Sequence, residues 1–218
     1  MKQFKIRASA SGKLMGIKAL GKTGESYLQE WLKEQIYARK KEFSNKYTTK
    51  GLMVEDWSLD FISECLNIDN CFKNDEYFEN DYFTGSPDVI LEDCIIDVKN
   101  SWDAFTFPLF DDEIPNNDYY FQGQVYMALT GKRKYKLIYT LLDTPMELIQ
   151  KEAFFFARDN GMELNEELIN DFKNRYSYSN IDSKYRIKVF EFDYDQTVID
   201  KLITRVEESR NYLNTLIQ

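Results

Sequence analysis

The sequence predicts an α/β fold in which a mixed central β-sheet is flanked by α-helices. Segments of helical periodicity alternate along the chain with short apolar runs of period two. The predicted order is helices, strands, helix, strand, helices, strand and helix, and this alternation is typical of a sheet with helices packed against it. The 218 residues contain no internal repeat and no convincing linker, so we expect a single domain over residues 1–218.

The amino-terminal third of the chain is predicted to be mainly helical. Apolar residues at helical spacing indicate an amphipathic helix over 23–43 and a second helix over 50–66. The segment 67–80 is polar and rich in turn-forming residues, with a short strand expected around 77–78. A further strand is expected over 81–84, and it leads into a hairpin.

That β-hairpin, over residues 87–97, is the most informative part of the sequence. Two short apolar runs flank the polar pair Glu92 and Asp93, which indicates a two-residue turn. Because such a turn fixes the register, Asp88 is predicted to lie directly opposite Asp97. Side chains in directly opposed positions have Cβ atoms about 5 Å apart, where like charges repel. A divalent cation between the two carboxylates would offset this repulsion.

Period-two alternation also predicts which side chains share a face of the hairpin. A lysine two residues after the second aspartate is expected beside the carboxylates, where it could stabilise developing charge. The arrangement is typical of a site for phosphodiester hydrolysis. The polar face is predicted to carry Ser86, Asp88, Asp97 and Lys99, and the apolar face Val89, Leu91, Cys94, Ile96 and Val98.

The rest of the chain contains a long irregular loop and six further predicted elements. The loop, over 102–117, is aromatic and acidic, and long loops inside compact domains are often functional. Gly131 provides the usual end signal for the helix that follows. In order, we expect a helix over 118–130, a strand over 136–142, helices over 147–158 and 163–175, a strand over 185–192 and a helix over 195–216.

Composition restricts the chemistry that the chain can perform. There is no histidine, which excludes the common catalytic triads, histidine-dependent nucleases and most zinc sites. Acid–base or metal chemistry must therefore depend on carboxylates, lysine, tyrosine or metal-bound water. Oxygen ligands alone favour Mg²⁺ or Mn²⁺.

Charge and hydropathy bear on partners and location. The net charge of −9 argues against a nucleic-acid partner, because binding phosphates usually needs a basic surface. Net charge is a global sum, however, whereas binding is local, and bound metal ions would offset part of it. No apolar run is long enough to span a membrane, and the amino-terminal residues lack the apolar segment of a secretion signal. We expect the three cysteines to be reduced and the protein to be intracellular.

Four segments, in a fixed order, resemble the PD-(D/E)XK nuclease superfamily. The segment 47–55 is similar to the helix whose glutamate, here Glu55, forms the first motif of that superfamily. Residues 85–88 (Gly-Ser-Pro-Asp) and 97–99 (Asp-Val-Lys) are similar to the second and third motifs, and 120–127 to the glutamine helix that follows. Within the superfamily the set most resembles the phage-type alkaline exonucleases, the lambda exonuclease and YqaJ-like recombinase group.

The resemblance implies a restriction-endonuclease-like core and a metal-dependent active site. Mg²⁺, with Mn²⁺ as a substitute, would be bound by Asp88, Asp97 and the backbone carbonyl of Val98. Glu55 would hold a second metal or an ordered water. Lys99 would orient or deprotonate the attacking water and stabilise the charge on the phosphorane.

The glutamine helix contains two candidates, Gln122 and Gln124, which flank the predicted buried stripe on opposite sides. Sequence geometry does not choose between them. The resemblance favours Gln124 as the catalytic residue, in contact with a phosphate. Gln122 is then a DNA contact or a residue of the helix surface. The predicted buried stripe consists of Phe121, Val125, Ala128 and Leu129.

A weaker resemblance lies at the amino end, where residues 6–11 are similar to the segment that receives a 5′-phosphate. Arg7, Ser9 and Ser11 offer suitable hydrogen-bond donors, and Ser86 on the metal face is a further candidate. The alternative is a plain helix start with serine capping.

The resemblance implies a Mg²⁺-dependent exodeoxyribonuclease that resects linear duplex DNA from 5′ to 3′ in phage-type recombination or replication. It also implies a ring-shaped homotrimer, a single-strand annealing protein as partner and a cytoplasmic location in a bacterial cell. Three alternatives stay open: an endonuclease or repair nuclease of the same superfamily, a non-catalytic DNA-binding or interaction module, and an acidic structural protein. Three cysteines without a Cys-x-x-Cys pair argue against the iron–sulfur variant of this family.

Overall fold

Two β-sheets and seven α-helices make up the part of the chain that the computed structural model describes, residues 2–17, 19–41 and 45–217. The helices are α1 (Gly21–Tyr37), α2 (Lys46–Met53), α3 (Glu55–Leu66), α4 (Asn117–Thr130), α5 (Met146–Asp159), α6 (Glu166–Arg175) and α7 (Gln196–Ile217). The strands are β1 (Ile6–Arg7), β2 (Phe78–Glu79), β3 (Phe83–Gly85), β4 (Val89–Ile90), β5 (Cys94–Asn100), β6 (Lys134–Thr140) and β7 (Ile187–Asp193). Two 3₁₀ helices cover Ala8–Leu14 and Ser183–Tyr185.

The main sheet has the strand order β4-β5-β6-β7. Its outer pairs are antiparallel, whereas β5 and β6 are parallel, so the sheet is mixed. The parallel pair requires a crossover, and α4 provides it by running from the end of β5 to the start of β6. A smaller sheet has the order β1-β3-β2. The predicted α/β fold with a mixed, helix-flanked sheet is thereby confirmed.

The register of the β4–β5 hairpin is the one that the sequence predicts. Val89 pairs with Ile96 and Ile90 with Ile95, and the amide of Leu91 donates to the carbonyl of Cys94 at 2.9 Å. The turn between them therefore contains two residues, and the residues just beyond the ladder must face each other. This prediction is confirmed.

Both faces of the hairpin are covered. On one face, Val89 and Ile96 pack in an apolar cluster with Leu59 and Ile62 of α3. On the other face, Ile95 belongs to the larger core, which lies between the sheet, α4, α1 and α7. Because the metal-binding aspartates predicted from sequence follow this alternation, they lie on the side of the sheet that α4 covers.

Helix α4 is buried around its whole circumference at its centre, from Gln122 to Met127. The predicted one-sided stripe is therefore wrong, since of its four members only Val125 is fully buried. Small residues allow the close packing. A Cβ atom at Gly123 would lie 2.6 Å from Cζ of Phe192, so a larger residue cannot occupy this position without a shift of its neighbours.

Two predicted helices have different boundaries in the structure. The helix predicted over 23–43 ends at Tyr37, because Ala38 adopts a left-handed conformation with φ of 50°; its predicted end at Phe43 lies outside the described residues. The helix predicted over 50–66 is two helices, separated at the buried residue Val54. Asn45 and Thr48 form a reciprocal capping box that starts α2 upstream of the predicted position.

Lys50 explains why α2 is oriented as it is. Its side chain is fully buried, and its ammonium group donates hydrogen bonds to the carbonyls of Ser101 at 2.8 Å, Trp102 at 3.0 Å and Leu142 at 2.8 Å. These carbonyls follow the ends of β5 and β6, so one lysine joins α2 to two strands. Burial lowers the pKa of Lys50 to about 8.

We expect Lys50→Met to lower the free energy of unfolding by about 3 kcal/mol or more, because three buried carbonyls lose their donor. The folded pKa lies below the unfolded value of about 10.4, so the unfolded chain binds the extra proton between about pH 8 and pH 10. Wild-type stability relative to the variant should therefore rise with pH through that window. Urea unfolding at several pH values measures both effects.

The matched control is Lys33→Met in α1, where the lysine is exposed. This change should alter stability by less than about 0.5 kcal/mol. Equal stability of the two variants would contradict the role given to Lys50.

No helix within the described residues is long and apolar enough to cross a membrane.

Candidate active site

The two aspartates of the hairpin form the centre of the candidate site. Asp97, in β5, is almost completely buried, and Asp88 is half-buried just before β4. The carboxylate of Asp88 accepts a hydrogen bond from the amide of Val98 at 2.7 Å, which fixes it against the partner strand. Burial and the neighbouring charge of Asp97 raise the pKa of Asp88 to about 7. The hairpin therefore holds two acids that repel each other when both are ionised.

Lys99 lies on the same strand face as Asp97, two residues further along β5. Its ammonium group forms an ion pair with Oδ2 of Asp97 and lies 4.8 Å from the ring centroid of Tyr119. Burial acts to lower the pKa of Lys99, but the charges of Asp97 and Asp88 outweigh it and raise this pKa above its usual value. Lys99 is therefore a fixed cation beside both carboxylates.

The structure brings Gln122, and not Gln124, to the aspartates. Nε2 of Gln122 donates to Oδ1 of Asp97 at 3.1 Å and to the hydroxyl of Tyr126 at 3.2 Å. The role given to Gln124 on resemblance is not supported by the geometry, because its side chain is on another side of α4.

Gln124 instead joins α4 to the connection between β7 and α7. Its Nε2 donates to the carbonyl of Asp193 at 2.9 Å, and its Oε1 accepts from the amide of Asp195 at 2.7 Å. Both sides of α4 are buried at this level, so each glutamine satisfies a different set of buried groups. Gln124 is a structural residue by its contacts.

For the metal-dependent cleavage that the resemblance implies, Gln122→Leu should reduce the rate about 10- to 100-fold, because Gln122 orients an expected metal ligand. Gln124→Leu should instead lower the free energy of unfolding by about 1–3 kcal/mol, because the Asp195 amide is left without an acceptor. Single-turnover cleavage and urea unfolding of both variants distinguish the roles. Loss of cleavage in a well-folded Gln124→Leu, with an active Gln122→Leu, would contradict this assignment.

Glu55 lines the same cleft but is paired with a lysine. It is the first residue of α3, and its Oε2 lies 2.6 Å from Nζ of Lys73 in the loop after that helix. Among the described residues, no group of three or more acidic, cysteine or histidine side chains is placed to hold one metal ion together. Glu55 therefore lines the same cleft as the aspartates, but it is not placed to bind one metal ion together with both of them.

A polar network that sequence reasoning missed sets the position of α3. Oδ1 of Asn100 accepts from the hydroxyl of Ser58 in α3 at 2.7 Å and from that of Thr140 in β6 at 2.6 Å. Asn100 directly follows Lys99, so the network couples α3 and its first residue, Glu55, to the end of β5. The individual residues are common, and their sequence gives no signal of this contact.

The aspartates lie at the bottom of a cleft of about 640 Å³. The cleft extends to Ser9 on one side and to Tyr47 and Leu52 of α2 on another, with Trp102 also at its wall. Its volume is typical of sites for small ligands or for one unit of a polymer. Val98, whose carbonyl is a predicted metal ligand, also lines it.

The residues predicted to receive a 5′-phosphate are placed differently from one another. Ser9 is exposed at the cleft, and Arg7 is exposed beside Tyr27. Ser86 is exposed and donates to the carbonyl of Glu76 at 2.7 Å.

Ser11 cannot contact a phosphate in this conformation. It is fully buried, and its hydroxyl donates to the carbonyl of Ala8 at 2.7 Å within the 3₁₀ helix. The prediction for Ser11 is wrong for this reason. Serine capping, the alternative reading of the segment, is also wrong, because Arg7 occupies the cap position and makes no side-chain capping bond.

The donor set fits a hard divalent cation. Two carboxylates face one lysine, and the buried Oδ2 of Asp97 is paired with the ammonium of Lys99. A cation placed between Asp88 and Asp97 would remove the remaining repulsion, and carboxylate oxygens are the ligands that Mg²⁺ and Mn²⁺ prefer.

No family model matches the chain, and no curated protein is significantly similar to it in sequence. Among solved structures, a phage-related exonuclease from Haemophilus somnus 129PT superimposes with a TM-score of 0.82 and 26% identity, over 99% of this chain and 96% of that one. The alkaline exonuclease LHK-Exo from Laribacter hongkongensis gives a TM-score of 0.64 and 16% identity, over 98% and 89% of the two chains. LHK-Exo in complex with dAMP gives 0.63 and 17%, with the same coverage.

Proposed function

This chain is a nuclease with the fold of the phage-type alkaline exonucleases, and on that premise we propose that it is a metal-dependent exodeoxyribonuclease acting on ends of linear duplex DNA. The observation that carries the proposal is the set of Asp88, Asp97, Lys99 and Gln122 at the bottom of one cleft. A buried acid pair with an adjacent lysine is costly in a purely structural protein. The structural similarity extends over nearly the whole chain.

The donor set supports a metal requirement. Asp88, Asp97 and the carbonyl of Val98 would hold Mg²⁺, which would supply Lewis-acid polarisation of a phosphate oxygen and a water of lowered pKa. Mn²⁺ is expected to substitute, because it prefers the same oxygen ligands. The chain has no histidine to act as a base, and a metal-bound water is one of the sources of a nucleophile that do not need one.

The protein side chains have separate tasks. Lys99 stabilises the negative charge that develops on the phosphoryl oxygens, because its raised pKa keeps it cationic. Gln122 holds Oδ1 of Asp97 and so fixes the orientation of that ligand. Glu55, which pairs with Lys73 at the cleft, would hold an ordered water or a second metal ion.

The DNA end is proposed to enter from the side of Ser9. Ser9 lines the cleft and can donate to a terminal phosphate, and Arg7 and Ser86 are exposed on neighbouring segments. This arrangement favours resection from 5′ to 3′. The dAMP bound in the structure of LHK-Exo supports a nucleic-acid substrate. The negative net charge of the chain is compatible with local binding at a metal-containing cleft.

Cleavage of matched DNA substrates tests the proposal. With Mg²⁺, the wild type should degrade a 5′-phosphorylated linear duplex and leave covalently closed circles of the same sequence intact. A label at the 5′ end should be released as a mononucleotide before a label at the 3′ end. Cutting of closed circles would replace the exonuclease by an endonuclease, and no cleavage of any substrate by folded, metal-loaded protein would favour a non-catalytic DNA-binding module.

Assembly and cellular role are part of the same proposal. We infer a ring-shaped homotrimer that encloses the duplex and works with a single-strand annealing protein in phage-type recombination, in the bacterial cytoplasm. Sedimentation equilibrium would give three times the chain mass of 25.9 kDa for such a trimer. A monomer at all concentrations would contradict it without affecting the chemistry.

A further inference from the structure

Tyr135 lies directly beneath the metal-binding pair although it is not part of any sequence motif described above. Its side chain is fully buried, and in the parallel pairing of β5 with β6 it is the partner of Ile95. Alternation places Ile95 and Asp97 on the same face of the sheet, so the Tyr135 side chain lies on that face too. It is therefore adjacent to Asp97 but on the core side, away from the cleft.

The hydroxyl of Tyr135 lies within reach of the Asp97 carboxylate, although no strict hydrogen-bond geometry joins them. Among the described residues it is one of five buried side-chain groups without a hydrogen bond, and Oδ2 of Asp97 is another. Burial and then the charge of Asp97 raise the pKa of Tyr135 well above its usual value. The hydroxyl therefore has a buried carboxylate, that of Asp97, as its neighbour.

The ring of Tyr135 is held in place on both sides. Its centroid is 4.8 Å from that of Phe192, and a Cβ atom at Gly123 would lie 2.9 Å from its Cδ1 atom. The ring therefore packs against the bare backbone of α4 on one side and an aromatic ring on the other. If the hydroxyl had no role, phenylalanine could replace Tyr135 in this pocket without cost, because the packing of the ring would be unchanged.

The other contacts of Asp97 leave a place for this donor. Oδ1 accepts from Gln122, and Oδ2 is paired only with the ammonium of Lys99. In the proposed reaction Lys99 acts on the phosphate and a cation would bind the carboxylate of Asp97, whose remaining lone pairs can still accept a hydrogen bond from the core side. Tyr135 is a buried hydroxyl beside Asp97, and that carboxylate is within its hydrogen-bonding reach.

We propose that Tyr135 is a positioning residue of the metal site, which donates a hydrogen bond to the Asp97 carboxylate and holds it in its metal-binding orientation. The inference rests on the proposed nuclease function, because it assigns a support to that site. Hydrogen bonds to ligating carboxylates typically change metal affinity by about 10- to 100-fold.

The test is Tyr135→Phe, with metal binding measured on protein without DNA. Mn²⁺ titration followed by electron paramagnetic resonance should show an affinity about tenfold lower than that of the wild type. The Mg²⁺ concentration for half-maximal cleavage should shift in the same direction, with the rate at saturating Mg²⁺ largely retained. The urea midpoint in EDTA should fall at most slightly, because the Asp97 carboxylate keeps the ammonium of Lys99 and the amide of Gln122 as partners when the hydroxyl is removed.

Tyr178→Phe is the matched control. The Tyr178 hydroxyl is in a buried side chain and makes two structural hydrogen bonds, to the carbonyl of Arg175 at 3.0 Å and from the amide of Ala104 at 3.2 Å. Its loss should lower the urea midpoint and leave Mn²⁺ affinity at the wild-type value, which is the opposite pattern.

Each outcome separates the inference from the function on which it rests. Wild-type Mn²⁺ affinity in a folded Tyr135→Phe variant, while the wild type cleaves DNA, would overturn the positioning role and leave the proposed function intact. A lowered urea midpoint with unchanged Mn²⁺ affinity would make Tyr135 a structural residue like Tyr178. A wild-type protein that binds no Mn²⁺ and cleaves no DNA would overturn both proposals.

Discussion

Asp88→Asn is expected to abolish cleavage while it stabilises the metal-free protein. Loss of a ligand removes several kcal/mol of charge stabilisation from the transition state, so the rate should fall about 10³-fold or more. The same change removes one of two neighbouring buried acids. The asparagine oxygen can still accept the hydrogen bond from the amide of Val98, so the hairpin keeps its geometry.

The sign of the stability effect follows from the pKa of Asp88. The folded value of about 7 lies above the unfolded value of about 3.9, so the folded state holds a proton that the unfolded chain has released. Metal-free wild-type protein should therefore lose stability as pH rises from about 4 to about 7, and the loss is complete above pH 7. In Asp88→Asn this loss is absent, which should make the variant about 1–3 kcal/mol more stable at pH 8 in EDTA.

Urea unfolding at pH 5 and pH 8, with EDTA or Mg²⁺, measures this prediction. Mg²⁺ should stabilise the wild type and have no effect on Asp88→Asn. Glu92→Gln, in the exposed turn of the same hairpin, is the control and should follow the wild type in every condition. A variant that is less stable than the wild type at pH 8 in EDTA would show that the two carboxylates do not repel each other in the folded protein.

Lys99→Met should separate metal binding from charge stabilisation. We expect the cleavage rate to fall about 10²- to 10³-fold, the typical effect of removing one group that stabilises transition-state charge. Mn²⁺ binding should be retained, because the change removes a cation that competes for Oδ2 of Asp97. The metal-free variant should be about 3–5 kcal/mol less stable, since the buried carboxylate of Asp97 loses its ion partner.

Lys136→Met in β6 is the control for Lys99. Lys136 forms a surface ion pair with Glu191 at 3.1 Å, on the neighbouring strand, and such pairs contribute about 0–1 kcal/mol. Its removal should leave cleavage unchanged. If Lys99→Met lost Mn²⁺ binding together with cleavage, the lysine would have to be regarded as a structural support of the aspartates.

The central hairpin could be predicted from sequence because two independent constraints agree there. The pair Glu92 and Asp93 selects a two-residue turn, and the alternation of apolar residues selects the face. A register shift by one residue would have placed Val89 and Ile96 in the cleft. The positions of Asp88 and Asp97 therefore followed from local rules, without knowledge of the remaining fold.

The choice between Gln122 and Gln124 could not be made in this way. Periodicity distinguishes a buried face from an exposed one, but the centre of α4 is buried on all sides, so no contrast exists. Which glutamine faces Asp97 depends on how α4 is rotated against the sheet. That rotation is set by close packing at Gly123 on Phe192, a contact between segments far apart in sequence.

The contacts of two lysines could not be predicted from the sequence either. Lys50 and Lys73 each occur in a polar stretch, where a lysine normally points to solvent. Lys50 is instead buried among three carbonyls, and Lys73 pairs with Glu55 at the cleft. Both contacts depend on tertiary structure.

The break between α2 and α3 at Val54 could not be predicted from the sequence for the same reason, because burial of that residue outweighs local helix propensity.

Cleavage of a 5′-phosphorylated linear duplex by the wild type and by Asp97→Asn, with Mg²⁺ and with EDTA, tests the central claim most directly. Circular dichroism of both proteins and DNA binding in Ca²⁺ confirm that each is folded and binds its substrate. The account predicts degradation only by the wild type with Mg²⁺, and none by the variant. Degradation in EDTA, or by Asp97→Asn at the wild-type rate, would contradict the assignment of Asp88 and Asp97 as the metal site.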